Sequence, residues 1–262
     1  MASARPGRLA ALLTLAHAVY STRAMTAGTP SRFGSHQGGR SVGKKKVRHH
    51  VNPLKSTHQG LIELPERWPE AFFAEPQNPM HVDIGCARGL FCLEAAESQP
   101  SRNYLGLEIR SVLAEAARDD AAAASLRNAA FLACNANVNF DELMQRAEPH
   151  TLHSVSIQFP DPWFKARHKK RRVVQPALVA SIARHLPPGG WLFVQTDVLE
   201  LAEDARDTIC AEAGRLLVDE RAEPDAWDVP KPVELGGITT ERERSCFELG
   251  RPVYRRVFTK QG

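Results

Sequence analysis

Met80–Gln99 reads MHVDIGCARGLFCLEAAESQ: a short apolar run that stops at a glycine, then a segment with helical spacing. That order of strand, glycine turn and helix predicts the opening unit of an α/β sheet. The alternation continues downstream. NYLGLEIR is strand-like and ends on an acid, and SVLAEAARDDAAAASLR is an Ala-rich helix. AAFLACNA, SVSIQFPDP, WLFVQTD and VYRRVFTK read as further strands. FDELMQRAE, PALVASIARHL and LELAEDARDTICAEAGR read as the helices between them, the second ended by PPGG. Strands spaced by helices imply βαβ units and a parallel sheet. Glu220 to Gly237, rich in proline and acid, reads as a long loop.

The chain of 262 residues suits one α/β domain with a large core, or two small ones. Its longest uncharged apolar stretch, Leu9 to Tyr20, is too short to span a bilayer, so no membrane span is expected. The net charge of +4 hides an asymmetry: residues 1–62 hold ten Lys or Arg and no Asp or Glu. The remainder, with 24 bases against 30 acids, is acidic, so a local basic cluster in it is informative. The acid-free N-terminus has the Ala, Ser, Thr, Arg and Gly content of a transit peptide. Residues 1–45 are expected to be a basic import segment for a plastid or mitochondrion, and residues 46–262 the folded domain. The five cysteines form no C-x-x-C and fit a reducing compartment as small buried hydrophobes. The histidines show no metal-ligand spacing, so no metal is expected.

Ligands in open α/β sheets bind beyond the carboxyl ends of the strands. Asp83, Gly85 and Gly89 follow the first apolar run. Glu108 ends the second, 23 residues beyond Gly85. A carboxylate there accepts hydrogen bonds from both ribose hydroxyls. Asn135, in CNA (Cys134 to Ala136), is placed after the third strand to meet an adenine edge. The turn Gly85-Cys86-Ala87-Arg88-Gly89 lacks the middle glycine of a dinucleotide loop. An acid-lined turn suits a phosphate-free adenosine cofactor, S-adenosyl-L-methionine, better than NAD.

At the end of the fourth strand, QFPDPWFKARHKKRR (Gln158 to Arg172) locks Asp161 between Pro160 and Pro162. Proline fixes its own φ and restricts the residue before it. Lys165, Arg167, Lys169, Lys170, Arg171 and Arg172 follow on a segment read as helix, with cations around most of its circumference. Beside a cofactor mouth on an acidic body, such a cluster points to phosphate binding.

Together these segments resemble the tRNA (guanine-N7)-methyltransferases over roughly residues 47–260. FPDPWFKARHKKRR is close to that family's most distinctive segment. DIGCARG, GLEIR and CNA match its cofactor motifs in order, and VRHHVNPLK its N-terminal segment. TDVLELA, and TERE before GRPVYRRVF, match its later substrate motifs. CARG and TERE are most similar to the cyanobacterial and plant branch, with Ala87 where a glycine is common elsewhere. The resemblance implies a Rossmann-like, seven-stranded, mostly parallel sheet. It also implies methylation of the variable-loop guanine of tRNA, position 46 by tRNA convention. Carried over by motif, Asp83, Gly85, Gly89, Glu108, Asn135, Ala136 and Asp161 would line the cofactor site, with Asp161 catalytic. Lys165, Asp197, Thr240, Glu241, Arg242 and Glu243 would meet the substrate, and Asp197 or Glu243 would read the guanine edge. Arg167, Lys169, Lys170 and Arg171 would grip phosphates. The bacterial-like motif set favours a self-sufficient monomer or homodimer over an enzyme needing a partner subunit. Two other readings stand beside this one: an exocyclic-amine methyltransferase of RNA or DNA, whose motif D-P-P-[YFW] differs from Pro160-Asp161-Pro162, and a non-catalytic RNA-binding protein on the same fold.

Overall fold

The computed structural model describes residues 51–148, 152–221, 223 and 225–262. The expected import segment and its boundary at residue 46 lie outside the described residues. Five parallel strands form most of one sheet: β1 (Met80–Ile84), β2 (Asn103–Glu108), β3 (Ala129–Ala133), β4 (Leu152–Gln158) and β5 (Trp191–Thr196). β7 (Tyr254–Lys260) pairs antiparallel with β5, and β6 (Leu217–Asp219) antiparallel with β7, in the order β3-β2-β1-β4-β5-β7-β6. The helices between are α1 (Leu90–Ser98), α2 (Ser111–Ala123), α3 (Ala136–Ala147), α4 (Pro176–His185), α5 (Leu199–Ala213) and α6 (Glu241–Glu248). Strand order reverses between β1 and β4, and a crevice opens there at the carboxyl edge.

Both faces of the sheet are covered, which is why its strands are near-continuously apolar. One face sets Val82, Leu105, Val155, Leu192 and Val194 against α3, α4 and α5. The other sets Tyr104, Phe131, Trp191, Phe193 and Val257 against α1 and α2. Gly89 belongs to this second layer. A Cβ there would sit 2.3 Å from Phe131 Cε1 and 2.9 Å from Ala117 Cβ. It is therefore a packing glycine that lets α1 approach the sheet.

Helix ends explain most boundary differences. The third helix begins at Ala136 rather than Phe140 because Asn135 caps it. Pro176 at the first turn starts α4. TERE, read as a substrate motif, is also a capping box. Thr240 Oγ1 accepts from the Glu243 N–H, and Glu243 Oε2 accepts from the Thr240 N–H, starting α6. The basic stretch is a 3₁₀ turn, Ala166–Arg171, not an α-helix. Residues three apart eclipse one another in such a turn, so Arg167 and Lys170 share one side, and His168 and Arg171 another.

Candidate active site

The crevice is lined by the ends of β1 to β4: Gly85, Glu108, Asn135, Ala136, Pro160 and Asp161, with Val51 and Pro53 of the N-terminal segment beside them. Gly85 has φ +83°, and nothing lies within 4 Å of a Cβ built on it. The backbone therefore borders open space there. Ala87, two residues on, has φ 51°. Its N–H donates to Glu108 Oε2 at 3.0 Å.

Glu108 is buried at the end of β2. Oε1 accepts from the Arg110 backbone N–H (2.9 Å) and Nε (2.8 Å), and Oε2 also accepts from Arg110 Nη2 (3.2 Å). A carboxylate offers about four acceptor sites, and two backbone donors and two guanidinium donors fill them. Asp83 lies deeper, beneath the glycine turn. Its Oδ1 accepts from Ser156 Oγ at 2.6 Å and Gln158 Nε2 at 3.1 Å. Loss of solvent pushes its pKa up to about 6, against the pull of those two hydrogen bonds.

Asn135 does not offer its amide to an adenine. Oδ1 accepts from the Asn137 N–H at 3.1 Å, and Nδ2 donates to the Pro53 and His58 carbonyls at 3.3 and 3.2 Å. The side chain caps α3 and holds the N-terminal segment against the crevice, which Asn135 and Ala136 still line.

Asp161 and Trp163 line the same crevice from the turn after β4. Phe159 (φ 49°) and Trp163 (φ 44°) bracket the two prolines in the left-handed region. Each such non-glycine residue costs on the order of 1–2 kcal/mol. Strain of this kind persists only where surrounding contacts over-determine it. Those contacts are visible. The Arg171 guanidinium lies 5.0 Å over the Trp163 ring, and His168 meets it edge-on at 5.6 Å. Arg172 Nε donates to the Pro162 carbonyl at 2.9 Å, while its Nη atoms pair with Glu200 and Asp204 of α5, each at 2.9 Å.

The cations thus divide. Lys165, Arg167, Lys169 and Lys170 are exposed, and Lys169 approaches Glu200 and Asp204 at 3.5 and 3.7 Å. Arg171 is half-buried on Trp163. Arg172, with a side chain 2% exposed, is a structural brace rather than a member of the phosphate-binding cluster.

The substrate motifs meet at the end of β5. Asp197 Oδ2 takes Arg242 Nη2 at 2.5 Å, joining β5 to the first turn of α6, where Glu241 is exposed. Thr240 caps that helix. Glu243 departs from expectation. Its carboxylate is 1% exposed, closes the capping box and pairs with Lys231 (2.9 Å) and Arg255 (2.7 Å). It faces the interior, not a guanine. Lys231, Gln158, Gln195, Arg255 and Arg110 were not singled out by sequence reading, and Arg172 was read only as one more phosphate-binding cation. A glutamine at the same place near the ends of SVSIQF and WLFVQTD was the available signal for two of them. Among the described residues, no group of three His, Cys, Asp or Glu is placed to hold a metal ion.

A family profile described as "Putative methyltransferase" matches residues 77–256. The tRNA (guanine-N(7)-)-methyltransferase of Synechococcus sp. (strain CC9311) is 45% identical over 214 residues, 82% of this chain and 87% of that protein. Its counterpart in Synechocystis sp. is 42% identical over the same share of this chain and 97% of its own. The crystal structure of the antibiotic-resistance methyltransferase Kmr is similar in fold, with a TM-score of 0.50 at 16% identity, over 78% of this chain and 97% of that one. Identity of this extent, over 87% and 97% of the two curated relatives, shows that the chain belongs to the tRNA (guanine-N(7)-)-methyltransferase family.

Proposed function

We propose that this protein transfers a methyl group from S-adenosyl-L-methionine to N7 of guanine in tRNA, at the variable-loop position 46. One observation carries the reading. Asp161, held between two prolines, opens onto the same crevice as Glu108 and Gly85, with a cationic turn directly outside. The donor set fits this cofactor: the carboxylates of Asp83, Glu108 and Asp161 suit a ligand bearing an ammonium and a sulfonium, and would repel a pyrophosphate. When bound, S-adenosylmethionine supplies a methyl group activated by positive sulfur.

Guanine N7 carries a lone pair and no proton, so no side chain has to act as general base there. The protein has to align the purine and match the moving charge. Positive charge passes to the ring as the methyl arrives, and a fixed carboxylate stabilises it. We assign that role to Asp161. Glu108 would accept from ribose hydroxyls at the two sites that the Arg110 guanidinium fills, keeping its backbone donors. Asp83 would balance a cation from below the glycine turn. Asp197 is the better placed of the two candidate guanine readers, since its carboxylate is less buried than that of Glu243 and pairs with the exposed Arg242. Lys165, Arg167, Lys169 and Lys170 would hold phosphates, a contact independent of sequence.

The deciding experiment is incubation with methyl-labelled S-adenosylmethionine and total tRNA, followed by nucleoside analysis. 7-Methylguanosine supports the proposal. An N-methylated exocyclic amine, or no label, overturns it. We also propose that residues 1–45 direct import into an organelle and that the enzyme needs no partner subunit. A reporter fused to residues 1–45 that stays cytosolic, or a purified chain inactive without an added protein, counts against those two readings.

A further inference from the structure

A continuous row of side-chain hydrogen bonds crosses the sheet just below the crevice. Asp83 on β1, Gln158 on β4, Gln195 on β5 and Arg255 on β7 each contribute one group. Gln158 is in register with Gln195, and Gln195 with Arg255. Gln158 Nε2 donates to Asp83 Oδ1 (3.1 Å), and Gln195 Nε2 donates to Gln158 Oε1 (2.8 Å). Arg255 Nε donates to Gln195 Oε1 (3.1 Å), and its Nη2 donates to Glu243 Oε1 (2.7 Å). Glu243 closes the capping box of α6, whose first turn also carries the exposed Arg242, paired with Asp197.

The row has a direction set by its ends. A carboxylate only accepts, and a guanidinium only donates. Both amides must therefore turn nitrogen towards β1 and oxygen towards β7. The far side obeys the same logic. Ser156 gives its proton to Asp83, so its Oγ must accept from His81 Nε2 (2.9 Å), and His81 Nδ1 must accept from Ser154 (2.8 Å). The shortest bonds of the row from Ser154 to Glu243 follow this sense, and Gln195 Nε2 also reaches Glu243 Oε2 at 3.5 Å.

Packing alone does not require this row. Its neighbours on the same face, Phe193 and Val257, are apolar, and a buried polar network is costly unless complete. What the row adds is a rigid link between an acid under the glycine turn and the helix carrying Arg242. We infer that Gln158, Gln195 and Arg255 are positioning residues that couple the cofactor site to the tRNA-contacting helix, so that each ligand strengthens binding of the other. This inference rests on the proposed function for the identity of the two ligands.

Gln195→Met tests it, since it removes the central link yet touches neither Asp83 nor Arg242. tRNA affinity is measured with and without saturating S-adenosylhomocysteine, and S-adenosylhomocysteine affinity with and without tRNA. In the unaltered protein the two factors must agree, at roughly fivefold or more. In Gln195→Met, with an unchanged melting curve and with S-adenosylhomocysteine alone binding within about twofold of normal, the factor is expected to fall below about twofold. Gln195→Leu, which also leaves Asp83 and Arg242 untouched, provides the same reading if Gln195→Met fails to fold. An unaltered protein without coupling, or a variant that keeps it, overturns the inference. Coupled binding without 7-methylguanosine formation would instead overturn the proposed function and leave the relay standing.

Discussion

The two halves of the crevice are built differently. On the side we assign to the cofactor, Asp83 and Glu108 sit at strand ends, buried, each fixed by short hydrogen bonds. On the side we assign to the substrate, Asp161 and the exposed cations sit on a turn and a 3₁₀ segment held by side-chain contacts. One half is shaped by the sheet and the other is braced against it. Substitutions on the first should act through burial and protonation, and on the second through alignment and charge. Each of the following outcomes either breaks or sharpens that division.

The largest effect is expected at Asp161. Asp161→Asn keeps the shape of the turn and removes its charge. It should lower kcat by about 10²–10³-fold, the scale of losing one preorganised electrostatic group. S-adenosylhomocysteine affinity, measured by calorimetry, should stay within about twofold. Near-normal turnover would remove Asp161 from the chemistry.

Glu243 comes next, and it separates a structural acid from a base reader. Glu243→Ala leaves Lys231 and Arg255 without their buried partner. Breaking such a cluster costs about 3–5 kcal/mol. A large drop in melting temperature is expected. A stable variant that merely loses guanine selectivity would return Glu243 to the substrate.

The cofactor side predicts a pH response. The Asp83 pKa stands at about 6 in the fold against an ordinary 3.8, so the folded state binds this proton more tightly than the unfolded chain. The stabilisation from protonating Asp83 is fully present below the ordinary value. It is lost as pH rises through about 6. Cofactor binding runs the other way, because a bound cation needs the ionised form. Around Asp83, the Ser156 and Gln158 hydrogen bonds favour ionisation, Glu108 opposes it, and Cys86 and Cys92 stay neutral thiols with strongly raised pKa. S-adenosylhomocysteine affinity should therefore fall about tenfold per unit below pH 6. A flat profile from pH 5 to 7 would deny Asp83 that role.

A smaller effect divides the cations. Replacing Lys165, Arg167 and Lys170 by Ala should flatten the salt dependence of tRNA binding, lowering the slope by about two to three. Arg172→Ala should leave that slope alone and reduce kcat and thermal stability, because its contacts are Pro162, Glu200 and Asp204. Sequence reading could not separate these residues. Arg172 looks like its neighbours, and its acidic partners lie 28 and more residues away.

The cofactor half was therefore the more legible one. Glu108 ends an apolar run and Asp83 interrupts one just before its glycine, and that pattern places both. The substrate half depends on partners distant in sequence. The Gln158 to Arg255 row was legible only as two glutamines interrupting apolar strands. TERE carried its capping-box spacing openly, yet the family resemblance drew all of it towards substrate. β6, three residues long, was too short to show alternation.

Ala87 tests how much strain the legible half tolerates. Its φ of 51° lies where a side chain clashes with the backbone, at roughly 1–2 kcal/mol. The conformation is nonetheless used, since it turns the Ala87 N–H onto Glu108. Ala87→Gly relieves the clash but gives the unfolded chain more freedom, a loss of about 0.5–1 kcal/mol. The net gain should be about 0.5 kcal/mol, or on the order of 1–2 °C in Tm. Cofactor affinity should not change, because the same N–H donor remains. A Tm that falls by several degrees would mean that the alanine methyl group makes a stabilising contact, and that the left-handed turn is held by more than Glu108.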